Sequence, residues 1–304
     1  MSPVSLELKY FTYPDRICSK LFHFKAEGPL GSVGFGTDDE YEIAFVKALT
    51  ECAERHCLRS LDNLPKTSNG FAGHCLPESA KVKANLELIE RDAFLLGWLS
   101  GRSPHWIDSN FLCVNLQIKE VFSSIKKSGL NFKVGRVAKT GDIETLVGVL
   151  LPGIESEMQF GCVFASSSGH SFLEALAAVA KELARAATVL INRYKKFGEV
   201  VPSKVSDPFD GKSTFDHYLK EDFESVGFYL DHSQEPLSLD PFSVEFDLFS
   251  RRIISPRLDI FVAHAKSRMA QDLFFGTPGS EDINFKRFEQ ARLEPTNLSV
   301  MPLP

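Results

Sequence analysis

The chain has 304 residues, 43% hydrophobic and 24% charged, with 34 basic against 40 acidic side chains and a net charge of -6. This composition excludes a disordered or collagen-like chain, and the acidic balance excludes a nucleic-acid surface driven by bulk charge, so an anionic ligand has to be held locally. The start, Met1 to Ser5, lacks a basic and an apolar targeting region, and the apolar stretches near Phe94 to Leu99 and Leu146 to Leu151 are too short to cross a bilayer. A cytoplasmic protein with no membrane or nucleic-acid partner is expected. The six cysteines form no C-x-x-C pair, which predicts buried free thiols.

In chain order, Gly31 to Gly36 is predicted as a small-residue loop before a helix, with Thr37-Asp38-Asp39-Glu40 as its capping box and Phe45, Ala48, Leu49 and Cys52 at helical spacing. A second such loop, Ser68 to Gly73, precedes a helix with Pro77 in its first turn and an apolar end, Ala93 to Leu99. Phe132 to Val137 and Ile143 to Val149 flank the turn Lys139 to Asp142, a hairpin pattern. A third loop, Ser166 to His170, leads into an alanine-rich helix from about Ser171 to Tyr194, capped by Ser171 and Glu174, with Lys181, Glu182 and Arg185 on its polar face. Residues 200–241, rich in Ser, Asp, Pro and Gly, read as an irregular insertion with a short helix near 216–223; 242–304 holds two strands, Val244 to Leu248 and Leu258 to Val262, and a proline-containing tail. The fold class is α+β, mixed sheets with helices, and no linker divides 1–304, which reads as one domain with its core in 31–194.

One pattern occurs twice, 36 residues apart: Lys47, Glu51, Glu54 and Arg55, then Lys83, Glu87, Glu90 and Arg91. Each set falls on one helix face. A solvated salt-bridge stripe is the plain reading, but lysine N-terminal to glutamate is the poorer orientation for helix stability. Leu86, Leu88, Ile89, Ala93 and Phe94 also leave the second stripe little room for an idle face. If the stripes face each other, four carboxylates converge and require divalent metal or neutralising Lys and Arg; hard oxygen ligands suit Mg²⁺, with Arg55, Arg91 and Arg185 toward phosphate. No Walker motif occurs, and Gly31, Gly34 and Gly36 stand in the wrong order for a dinucleotide fingerprint. His56 reads as a packing histidine, while for His74 and His170, beside the small-residue loops, packing and phosphate roles both stay open; no hydrolase triad or H-E-x-x-H run is present.

At these residues the sequence resembles the YcaO family of ATP-dependent enzymes that modify peptide backbone amides. The resemblance runs from Gly34-Phe35-Gly36-Thr37 into Ala48-Leu49-x-Glu51-x-x-Glu54-Arg55, through Ser68-Asn69-Gly70-x-Ala72-Gly73 into Leu86-Glu87-Leu88-Ile89-Glu90-Arg91-Asp92-Ala93, then Leu151-Pro152-Gly153, and Ala175-Leu176 followed by Glu182. The end, Val300-Met301-Pro302-Leu303-Pro304, resembles a shortened P-x-P-x-P tail of azoline-forming members. What the resemblance implies is helices enclosing a cleft for ATP and Mg²⁺. Glu51, Glu54, Glu87 and Glu90 would be metal ligands, Lys47, Arg55, Ser68, Asn69, Lys83, Arg91, Glu182 and Arg185 nucleotide contacts, and Pro302 and Pro304 the catalytic tail.

The implied reaction is cyclodehydration. A Cys, Ser or Thr side chain of a ribosomally made precursor peptide attacks the preceding amide carbon, and the amide oxygen takes a phosphoryl group from ATP and leaves as phosphate, giving a thiazoline or oxazoline. The implied partners are the precursor peptide, a leader-peptide-binding protein and, in some systems, a flavin-dependent azoline dehydrogenase; a homodimer is compatible. Thioamide or amidine formation is the variant within the family. Lys47, Lys83 and Arg185 depart from the family pattern by bringing in positive charge, so they either replace part of the metal charge or leave a scaffold that cannot turn over. A polyphosphate enzyme unrelated to the family is the remaining alternative.

Overall fold

The structure, a computed structural model, describes residues 4–13, 21–60, 69–112, 115–154, 156–200, 226–254, 257–274 and 277–299. The elements begin with β1 (Val4–Leu6), β2 (Lys9–Tyr13), β3 (Phe22–Glu27), β4 (Val33–Asp38), α1 (Tyr41–Ser60), β5 (Phe71–His74) and α2 (Pro77–Leu99). They continue with β6 (His105–Trp106), α3 (Leu116–Lys127), β7 (Leu130–Thr140), β8 (Ile143–Pro152), β9 (Val163–Gly169) and α4 (Phe172–Phe197). The remainder are α5 (Gly227–Asp231), β10 (Leu237–Leu239), β11 (Glu245–Ile253), β12 (Leu258–Lys266) and α6 (Phe285–Ala291). Where the sequence reads as one domain, contacts group the residues into two compact units. The first runs up to residue 89 and includes 242–270; the second comprises 90–241 and the chain from 271 onward.

In the first unit, glycine decides how α1 meets its strand. A Cβ on Gly34 would collide with the backbone at Ala48 and Cys52, and one on Gly36 with that at Ala44 and Ala48, so β4 lies against α1 at a distance no other residue allows. This is why Gly31 to Gly36 is not the loop its composition suggests: from Val33 it is a strand, hydrogen-bonded to β3 in the antiparallel sheet β2-β3-β4. A second sheet, β1-β11-β12-β5, shares with α1 a core of Leu49, Cys52, Cys57, Phe71, Ile260 and Val262. The helix start also differs from expectation. Thr37 stays in the strand with its hydroxyl on His23 Nδ1, and Asp38 Oδ1 takes the amides of Asp39 and Glu40 instead.

The second unit is built on the sheet β10-β7-β8-β9, with β6 also on β7. The predicted hairpin forms, with a register shift between Arg136 and Ala138. α4 starts at its Ser171 cap as expected and ends at Gly198 in the left-handed conformation. Residues 226–241, predicted to be irregular, instead carry α5 and β10. Tyr229 and Leu237 join the core of Phe94, Trp98, Val147 and Phe164, because the apolar residues here outweigh the Ser, Asp and Pro that suggested a loop. The helix predicted at 216–223 lies outside the described residues, as do Pro302 and Pro304. The C-terminal segment finishes α2. The amides of Thr296 and Asn297 both reach Leu99 O at 2.8 Å, and Asn297 Nδ2 reaches Trp98 O at 3.0 Å, satisfying carbonyls a helix end would leave bare. Cys52 and Cys57 are buried free thiols, as composition suggested, Cys162 is buried, Cys75 is only half-buried, and Cys18 and Cys113 lie outside the described residues.

Asp92 fixes this unit. Its carboxylate is wholly buried and accepts Arg287 Nη2 at 2.7 Å, Arg287 Nε at 3.0 Å and the Gln271 amide at 2.8 Å. Burial pushes its carboxyl up, and the guanidinium opposes that shift. Removing one partner strands the other charge in a dry core. Arg287→Met and Asp92→Asn are each therefore expected to cost about 3–5 kcal/mol, read from urea unfolding, the first by leaving a bare carboxylate and the second by leaving a bare guanidinium.

Candidate functional site

The pattern read from the sequence, a small-residue segment followed by a helix, is present three times. All three segments enter strands: β4, β5 and β9. Their backbone amides bind glutamates. Phe35 N–H donates to Glu51 Oε2 at 2.7 Å, Gly73 N–H to Glu54 Oε1 at 2.5 Å, and the Ser168 amide to Glu90. Ser166 Oγ adds a donor to Glu90 at 2.5 Å, and Ser168 Oγ is held by Thr145 at 2.7 Å. Small residues are needed for this, since a Cβ on Gly73 would press on Thr50 and on Glu54 itself.

In the first unit, Glu54 has the most perturbed carboxyl. Burial and the neighbouring Glu51 charge push it up to about 8, against the pull of the Gly73 amide, Arg55 and Lys83. Arg55 Nη2 sits 3.6 Å from Glu51. Lys47 is bound to Asp38 at 2.6 Å and also donates to Thr37 O at 3.4 Å. Lys83, by contrast, makes no hydrogen bond or ion pair among the described residues. Its ammonium lies within electrostatic reach of Lys47, Glu54 and Asp38, and burial pushes its pKa down, with Lys47 pushing the same way. Asn69 is 5% exposed and its Oδ1 has no hydrogen-bond partner. Ser68 lies outside the described residues.

In the second unit, burial pushes Glu90 up, opposed by Arg91 and the Ser166 hydroxyl and reinforced by the Glu182 charge. Arg185 grips Glu182 through Nη2 at 2.5 Å and Nε at 2.9 Å. Glu87, which belongs to the first unit, stands on the same helix as Glu90. Among the described residues, no three His, Cys, Asp or Glu side chains are grouped as a ready-made metal cage. The donor chemistry nonetheless fits a hard divalent cation. These are carboxylates on rigid helices, and burial pushes Glu54 and Glu90 up, a penalty that a bound cation would offset. His56 is a packing histidine, with Arg251 Nε at 3.4 Å, while His74 Nδ1 accepts the Leu76 amide and the His170 amide donates to Glu174. Sequence reasoning missed Thr145 and Asp38; only the strand pairing and the lysine contact reveal them.

The fold is that of the YcaO proteins and heterocyclases. It matches a YcaO structure from Methanopyrus kandleri bound with AMPPCP and Mg²⁺ at 12% identity and a TM-score of 0.60, over 98% of this chain and 90% of that one. A chain of the E. coli microcin synthetase McbBCD complex matches at 12% identity and a TM-score of 0.66, over 98% and 96%. A heterocyclase in complex with substrate and cofactor matches at 12% identity and 0.64, over 98% of this chain and 55% of that one. None of the curated proteins compared matches by sequence. The family described as YcaO cyclodehydratase, ATP- and Mg²⁺-binding, matches residues 59–267, more than half of the chain. The chain belongs to the YcaO family. Among the described residues, no helix is long and apolar enough to cross a membrane.

The Glu54 shift has a measurable consequence. The unfolded chain ionises this carboxyl near 4.5 and the folded one near 8, so its contribution to stability falls as pH rises through that window and levels off above it. Glu54→Gln is expected to flatten the urea-midpoint profile between pH 5 and 8.5. Parallel profiles for the two proteins would contradict the assignment.

Proposed function

We propose that this protein is an ATP- and Mg²⁺-dependent cyclodehydratase acting on a ribosomally made precursor peptide, forming thiazoline or oxazoline rings from Cys, Ser or Thr. The observation that carries the reading is the pair of desolvated helix glutamates, Glu54 and Glu90, each held by a strand amide in a chain of the YcaO family. When bound, Mg²⁺ supplies charge neutralisation for the triphosphate and the transferred phosphoryl group.

In the first unit the residues proposed for metal are Glu51, Glu54 and Glu87, and for nucleotide Lys47, Arg55, Lys83, Ser68 and Asn69. In the second, Glu90 is proposed for metal, and Arg91, Glu182 and Arg185 for nucleotide. The strand amides orient Glu51, Glu54 and Glu90 before any ligand arrives, which lowers the ordering cost of binding. Lys83 is the cation best suited to phosphate, because Lys47 is engaged by Asp38 and Arg185 by Glu182. The tail residues Pro302 and Pro304 are proposed on the substrate side, with a cytoplasmic location, a leader-binding partner protein and, in an azole pathway, a flavin-dependent dehydrogenase.

The charged replacements favour a second reading, a non-catalytic subunit of a peptide-modification complex: the two engaged cations, Lys47 and Arg185, neutralise acids without any metal. Calorimetry separates the two. For the enzyme, ATP binding requires Mg²⁺, and Glu90→Gln weakens it at least about tenfold, the loss of one charge-assisted contact. Precursor peptide with its partner then elicits phosphate release, and the product loses water, whereas a thioamide would exchange oxygen for sulfur. Removal of Pro302 to Pro304 is expected to abolish turnover while ATP binding persists. Metal-independent binding without phosphate release would establish the scaffold.

A further inference from the structure

A cavity of about 430 Å³ in the second unit is lined by His105, Trp106, Ile107, Asp108, Phe111, Arg136 and Phe172. Its size lies in the range of ligand sites, and its walls are mainly apolar. It stands apart from Glu90. Arg136 pairs across the sheet with Leu146, whereas Ser166, which holds Glu90, pairs with Val147. Consecutive strand residues point to opposite faces, so Arg136 and Ser166 occupy opposite sides of the sheet. The Arg136 side is the α4 side, since a Cβ on Gly148, two residues from Leu146, would meet Val179 and Leu183.

Two features define what the cavity takes. Arg136 lies over the Phe172 ring, 4.7 Å from its centroid, and among the described residues its guanidinium makes no hydrogen bond or ion pair. A guanidinium held over a ring by cation–π attraction, with its N–H donors unspent, can still grip a carboxylate through two parallel bonds. His105, its partner across the ladder, adds an imidazole at the same rim. Phe111 is 70% exposed at the cavity, an aromatic surface uncovered in the chain alone. Asp108, also in the lining, disfavours a polyanion such as a nucleotide, and the cavity is not enclosed, so a group attached to a longer molecule can enter.

We propose that this cavity docks a peptide segment carrying a bulky apolar side chain next to an acidic one: the apolar group lies against Phe111 and Phe172, and the carboxylate on Arg136. The inference stands on geometry of the second unit and does not depend on nucleotide binding. The test uses the full chain and the probe acetyl-Glu-Phe-amide, followed by intrinsic fluorescence of the cavity residue Trp106. Saturable binding is expected, weakened at least tenfold by Arg136→Gln and by the probe acetyl-Gln-Phe-amide. Phe111→Ala, a change at an exposed position that leaves the fold intact, should weaken it severalfold, with circular dichroism unchanged. Equal binding of the glutamine probe, insensitivity to both variants, or phenylacetate binding as tightly as the peptide would overturn the proposal, the last by making the cavity a site for a free small acid.

Discussion

A carboxylate removed from water must be met by a proton, a cation or several hydrogen-bond donors, and that requirement organises this protein. Three helix acids meet it in three ways. Asp92 is answered by a fixed arginine and a backbone amide, and the result is structural. Glu90 is answered by a serine hydroxyl and a strand amide, with Arg91 nearby. Glu54 has one strand amide and the weaker pull of Arg55 and Lys83, and its carboxyl is pushed up to about 8. Asp92 is a closed ion pair, whereas Glu54 still lacks a full complement, the feature that recommends it for the proposed metal role.

The glycines and serines follow from the same requirement. A strand amide reaches a helix carboxylate only when the strand lies unusually close, and Gly34, Gly36 and Gly73 permit that approach, with Ser166 donating its own hydroxyl. These segments were legible as glycine- and serine-rich runs preceding helices, and the helices themselves were legible from their periodicity and from Pro77 and Ser171. That the runs were strands was not legible. Glycine and serine lower strand propensity, and in Val33–Asp38 and Val163–Gly169 pairing with β3 and with β8 overrides it.

The same limit explains what composition hid at 226–241 and at Asp92. Tyr229 and Leu237 sit among Ser, Asp and Pro, so local sequence reads as loop, yet each fills a place in a core supplied by residues far away in the chain. Asp92 stands in a motif with three other charged residues, Glu87, Glu90 and Arg91, and nothing local distinguishes it from them. Its partner is 195 positions on, beyond any pattern a helix face can show. The glutamate stripes were readable because a helix repeats them at fixed intervals; the partners of those glutamates were not, because they lie on other elements.

Lys47 and Lys83 are not equivalent, and the difference bears on what the proposed site could bind. Within the first unit, the acids Asp38, Glu51, Glu54 and Glu87 outnumber Lys47, Arg55 and Lys83 by one. Lys47 spends its charge on Asp38, at the start of α1, and would have to break a 2.6 Å contact to meet a phosphate. Arg55 is turned toward Glu51. Lys83 is drawn by Glu54 and repelled by Lys47, and its desolvation is only partly offset, so an incoming anion gains from it what the protein itself has not used. A triphosphate arriving there would favour the charged lysine, whereas it would repel the Glu54 carboxylate unless that group stays protonated or a divalent cation comes with the ligand. The two outcomes assign opposite roles to Glu54, and its titration near neutral pH keeps both within reach of the same fold.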